Sequence, residues 1–107
     1  MDGVSACVNQ ERVHLVDISR RGVLLRTTTT PSVGSTTRVQ LWRGDVLVEL
    51  TGRVVRVERL ADHDEQDEAW LVGLEFLRLT QEQVATRLRP LFASLVSRSR
   101  RRQSSAA

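Results

Sequence analysis

The chain has 107 residues, enough for one small domain and no more. Apolar residues make up 40% and charged residues 27%, the proportions of a folded protein, which excludes a chain disordered throughout. The formal net charge of +3 is too small to establish a nucleic-acid partner by itself.

No apolar run approaches the ~20 residues of a membrane-spanning helix, so membrane insertion is not expected. No basic-then-apolar leader opens the chain, and a cytoplasmic setting is the expectation. The single cysteine, Cys7, excludes an internal disulfide and a multi-cysteine metal site. The 16 basic residues are all arginine. Arginine keeps its charge at working pH and presents a planar fork suited to phosphate, carboxylate and purine edges. Its exclusive use has a plainer reading as composition bias. Aromatic residues are limited to Trp42, Trp70, Phe76 and Phe92, too few for a surface that stacks on single-stranded RNA.

Residues 1–10 show no sustained pattern and form an N-terminal end that can hold a short strand. In Arg12–Ile18 the order RVHLVDI puts Val13 and Leu15 on one side and Arg12 and His14 on the other, a half-buried strand. DISRRG interrupts it, and Val23–Thr27 reads as the next strand. Pro31 and Gly34 mark a loop. Arg38–Arg43 is a third strand with Val39 and Leu41 on one face. Gly44-Asp45 makes a tight turn. The Arg43-Gly44-Asp45 tripeptide, although it spells an adhesion motif, reads as turn chemistry.

Val46–Arg59 is a long strand. Val46, Val48, Leu50 and Val54 share a face with Gly52 between them, and at Val54-Val55 the phase slips. A glycine followed by a phase slip predicts a bulge, as strands need when they curl into a barrel. Residues 61–68, ADHDEQDE, read as an acidic loop. Trp70, Val72, Leu74 and Phe76 lie on one side of a last strand. Thr80 and Gln83 form a capping-box pattern that opens a helix. Val84, Leu88, Leu91, Phe92, Leu95 and Val96 follow at helical spacing. Pro90 divides this stretch into two helical pieces.

Five or six strands followed by one amphipathic helical segment predict an all-β fold: a small antiparallel barrel capped by a C-terminal helix. The barrel and helix are expected over residues 11–97, with 98–107 as a mobile basic tail.

The chemistry-bearing segment is Asp17-Ile-Ser19-Arg20-Arg21-Gly22, between two strands. Asp17 is a fixed anion able to accept two parallel N–H bonds, as from a guanine edge. Ser19 offers a rotatable hydroxyl. Gly22 allows a positive φ and close approach of a ligand to the backbone. Arg20 and Arg21 suit phosphates or purine O6 and N7. The plain alternative is an ordinary turn in which Asp17 and Ser19 bond local amides.

Asp17, Ser19 and Gly22 match the D/N-x-S-x-x-G motif of the PilZ family, which this sequence resembles. The likeness extends to Gly34 in the next loop, the valine-rich GRVVRV, the late G-x-x-F of Gly73–Phe76 and the final helix. The resemblance implies a bacterial six-stranded barrel, no catalysis, no cofactor and no metal, and cyclic di-GMP as the ligand. It implies a ligand site at Asp17, Ser19 and Gly22, assisted by Arg20 and Arg21, with Arg12 as a further candidate ligand-binding residue. The family pattern also has an upstream R-x-x-x-R arm. Here Arg12 is the sole arginine ahead of Asp17, and it lies within the strand. Losing two charge-assisted contacts removes about 1.5–3 kcal/mol each. Micromolar affinity corresponds to only about 8 kcal/mol in all. The resemblance therefore implies output through a protein partner, in motility, pili or surface behaviour, with direct nucleotide binding the less favoured alternative.

Other features have bland readings. His14, Ser19 and Asp17 lack a nucleophile elbow, so a hydrolase is not expected. The acidic loop around His63 does not have EF-hand spacing. Cys7 has no basic neighbour in sequence and reads as an inert, buried thiol. The arginines at 98–102 could touch phosphates, and a small basic nucleic-acid-binding barrel is the alternative function. If Leu91, Phe92, Leu95 and Val96 were exposed, homo-oligomerisation or docking would follow.

Overall fold

The computed structural model describes residues 3–60 and 69–92. Six strands precede one helix: β1 (Ser5–Val8), β2 (Glu11–Ile18), β3 (Gly22–Thr27), β4 (Thr36–Arg43), β5 (Val46–Leu60), β6 (Ala69–Phe76) and α1 (Gln81–Leu88). They pair antiparallel into a closed barrel in the order β1-β2-β3-β6-β5-β4. This is the all-β, helix-capped fold expected from the alternation and the absence of helices between strands. The N-terminal stretch contributes more than an end, because β1 pairs with both β2 and β4 and so closes the cylinder.

Closure depends on β5. Its first half pairs with β4 and its second half with β6, and Gly52 is matched to both Thr37 and Phe76. A Cβ at Gly52 would stand 3.2 Å from the Leu74 side chain, so the strand turns the corner where it carries no side chain. The predicted slip is present as a register shift between Val54 and Arg56. A second shift, between Leu15 and Asp17 on β2, has no glycine to announce it.

Inward positions of all six strands form one core with the helix. Ala6, Leu15, Leu25, Leu41, Leu50, Val54 and Val72 meet Val84, Leu88, Leu91 and Phe92 in a single cluster. Thr80 caps α1: its hydroxyl accepts from the Gln83 amide at 3.1 Å, and Gln83 Oε1 accepts from the Thr80 amide at 2.8 Å. The helix ends at Leu88, ahead of Pro90. The chain then stays on the barrel, where Arg43 Nη1 donates to the Leu91 carbonyl at 3.4 Å. Leu91 and Phe92 are buried, so the exposure that would have pointed to docking through these two is not found. Leu95, Val96, the second helical piece, the acidic loop and the basic tail lie outside the described residues. Cys7 is buried and free. Among the described residues, no helix is long and apolar enough to cross a membrane.

The β1–β2 hairpin carries local strain. Val8 pairs with Glu11, leaving a two-residue turn in which Asn9 has φ 50 and Gln10 has φ 69. Both angles positive is the type I′ signature, which favours Asn-Gly. Asn9 is well suited, and its Oδ1 accepts from the Thr37 hydroxyl at 2.7 Å. Gln10 is not suited, since a Cβ in the left-handed region costs about 1–2 kcal/mol. Gln10→Gly is expected to raise stability by about 0.5–1 kcal/mol after the glycine's larger unfolded-state entropy is subtracted. Urea unfolding of the two proteins checks this.

Candidate functional site

The face formed by β2, β3, β6 and β5 explains where the chemical groups stand. Pairing runs Ile18–Val23–Leu74–Val54 in one row and Leu15–Leu25–Val72–Val57 in another. Both rows point into the core. Between them, β3 and β6 each have one residue, Leu24 and Gly73. The outer two strands each have two: Val16 and Asp17 on β2, and Val55 and Arg56 on β5. These are the two bulges, placed at the same level of the barrel. Strict alternation would turn Asp17 and Arg56 inward, and the extra residue turns each outward.

The outcome is an outward row of Asp17, Leu24, Gly73 and Arg56 across four strands. At 4.7–4.9 Å between strands, the row is about 14 Å long. A carboxylate stands at one end and a guanidinium at the other. The row is the floor of a groove of about 770 Å³. The groove's rim is the β2–β3 loop with Ser19, Arg20 and Arg21. Glu75 also lines it, and one wall is the β6–α1 linker at Leu79 and Thr80 with the first helical residue, Gln81. The chain enters that linker through Arg78, at φ 64.

Within the loop the local turn bonds are made. Ser19 Oγ accepts from the Arg21 amide at 3.2 Å and the Gly22 amide at 3.4 Å. The Ser19 amide donates to the Gly22 carbonyl at 2.9 Å. Asp17 Oδ1 accepts from the Ile18 amide at 2.9 Å. Among the described residues Asp17 Oδ2 accepts no bond, and the Ser19 hydroxyl proton has no acceptor. Local turn chemistry and an open carboxylate therefore coexist at the same residues.

Gly22 does not use the positive φ that glycine allows. Its φ is not in the left-handed region, which Gly3, Gly34 and Gly44 occupy instead. A Cβ at Gly22 would stand 2.0 Å from the Leu74 carbonyl oxygen. The close approach the structure shows is that of β6, the neighbouring strand, at a residue that also lines the groove. Gly22→Ala must push β3 and β6 apart and is expected to destabilise the fold by about 1–3 kcal/mol. Chemical denaturation without any ligand reads this out.

Asp17, Ser19, Arg20, Arg21 and Gly22 thus come together at one groove. Arg12 does not join them. It is exposed on β2, about 16 Å along the strand from Asp17 at ~3.3 Å per residue. There it borders a separate depression with His14 and Arg26. Arg56, Val55 and Leu24 line the groove and were not singled out in the sequence. The phase slip at Val54-Val55 was the available signal for Arg56, since a bulge shifts the next residue to the other face. Among the described residues there is no cluster of three or more metal-ligating side chains.

The protein is thus a closed antiparallel barrel joined in one core to a C-terminal helix and grooved on its outer wall beside a polar loop. The chain belongs to the PilZ domain family, whose model matches residues 3–93. Its fold is similar to the PilZ domain of YcgR from Escherichia coli, solved with c-di-GMP. The TM-score is 0.64 at 14% identity, covering 97% of this chain and 89% of that one. It is also similar to an uncharacterized Legionella protein, with TM-score 0.53 and 15% identity over 99% and 92% of the two chains. No curated protein matches the sequence.

Proposed function

We propose that this chain is a non-enzymatic signalling module of the cyclic di-GMP pathway. Its groove takes the nucleotide, and its output passes to a protein partner. The observation that carries this reading is the open Asp17 carboxylate set beside Ser19, Arg20 and Arg21 over an uncharged floor of Leu24 and Gly73. A guanine presents two adjacent N–H donors on one edge, which an aspartate accepts in parallel. Its O6 and N7, and the phosphates, accept from arginine. The groove volume falls within the range of about 300–1,000 Å³ usual for small-molecule sites. The E. coli domain of similar fold was solved with this nucleotide.

The position of the groove supports output through a partner. One wall is the linker into α1, so an occupied groove alters the surface next to the helix that closes the barrel. The nucleic-acid alternative has weaker support, because Trp42, Trp70, Phe76 and Phe92 are the only aromatic residues of the sequence, too few for base stacking.

Calorimetry with cyclic di-GMP tests the reading. Saturable binding is expected in the native chain, weakened at least tenfold by Asp17→Ala. Asp17 is exposed, so this change leaves the fold intact, and far-ultraviolet circular dichroism verifies that. A flat titration at high micromolar nucleotide would leave a partner-binding module without nucleotide control.

A further inference from the structure

We infer that Arg56 is a phosphate-binding residue of the groove, with Glu58 as the counter-ion that holds it when the groove is empty. The inference rests on the nucleotide reading above and concerns a different wall of the same site.

Three observations carry it. The first is the bulge on β5. Val54 is 0% exposed and Val57 is half-buried, so both face the core. The two residues between them both face out and both line the groove. Were β5 to continue from Val54 in strict alternation, Arg56 would point at the core, where an unpaired guanidinium is very costly.

The second is Gly73, the partner of Arg56 in the row. A Cβ there would come within 3.3 Å of the Arg56 Cβ and 4.0 Å of Leu24 Cδ1. With glycine, the floor beside the Arg56 stem is clear, and the guanidinium has room to swing over it.

The third is the state of the ion pair. Arg56 Nη2 meets Glu58 Oε2, two residues along the same strand, with side chains 58% and 52% exposed. Pairs this exposed contribute about 0–1 kcal/mol, so exchange for a better anion is easy. A phosphodiester between ribose groups is such an anion, accepting two parallel N–H bonds from one guanidinium. Arg20 and Arg21 lie on the β2–β3 loop and Arg56 on β5, with β6 between β3 and β5, and all three line the groove. A ligand with two phosphates is then drawn from the loop and from β5, with Asp17 selecting its base.

Titration calorimetry with cyclic di-GMP decides the matter, using the native chain, Arg56→Ala, Arg56→Lys, Glu58→Gln and Asp17→Ala. Arg56→Ala is expected to weaken binding at least tenfold and to flatten its salt dependence. Arg56→Lys should recover part of the loss, because the charge returns without the fork. Glu58→Gln should tighten binding about two- to threefold, the scale of a broken surface ion pair. Binding that Asp17→Ala removes but Arg56→Ala leaves within twofold overturns the assignment while sparing the nucleotide reading. Weaker binding in Glu58→Gln overturns the counter-ion role. No binding by the native chain overturns both the nucleotide reading and this assignment.

Discussion

The constraint behind the site is the two-residue period of a pleated strand in a closed sheet. A barrel of this size commits every inward position to its core, so each outward group must keep step with its neighbours. One residue too many in a strand would ordinarily turn a whole segment inside out. Here it happens on β2 and on β5 at the same level, with the two uninterrupted strands β3 and β6 between them. Each insertion leaves a valine exposed, Val16 at 41% and Val55 at 49%, and delivers a charged residue to the outer wall. The exposed valines accompany the arrangement that places Asp17 and Arg56 at opposite ends of one row.

The remaining structure supports that row from behind. The core rows on either side of it are filled by Leu, Ile and Val of all four strands, and Leu74 sits at the crossing of both glycine contacts, with Gly22 on one side and Gly52 on the other. The helix completes the same core through Val84 and Leu88, and its capping box fixes the linker that forms the groove wall. Groove, corner and cap are therefore one packing problem, and a change at Leu74 would reach all three.

Much of this was readable in the sequence, for identifiable reasons. Alternation in RVHLV, the turn at Gly44-Asp45 and the Thr80–Gln83 pair are local signals that the structure reproduces. The bulge on β5 was readable because Gly52 and two successive valines broke the period. The bulge on β2 was less visible: no glycine marks it, and Asp17 read as part of the segment that interrupts the strand. Arg56 could not be placed in one row with Asp17 from the sequence at all, since their alignment is a matter of register across four strands and 39 positions of chain. The packing contact of Gly22 was hidden for a similar reason, as the atom that excludes a side chain there belongs to Leu74.

That last contact bears on how the D-x-S-x-x-G signature should be weighed. Its glycine is demanded by an inter-strand squeeze that exists whether or not any small molecule ever visits the protein. A related chain whose groove never held anything would still be obliged to keep it. A glycine at this place therefore testifies first to how tightly β3 lies against β6.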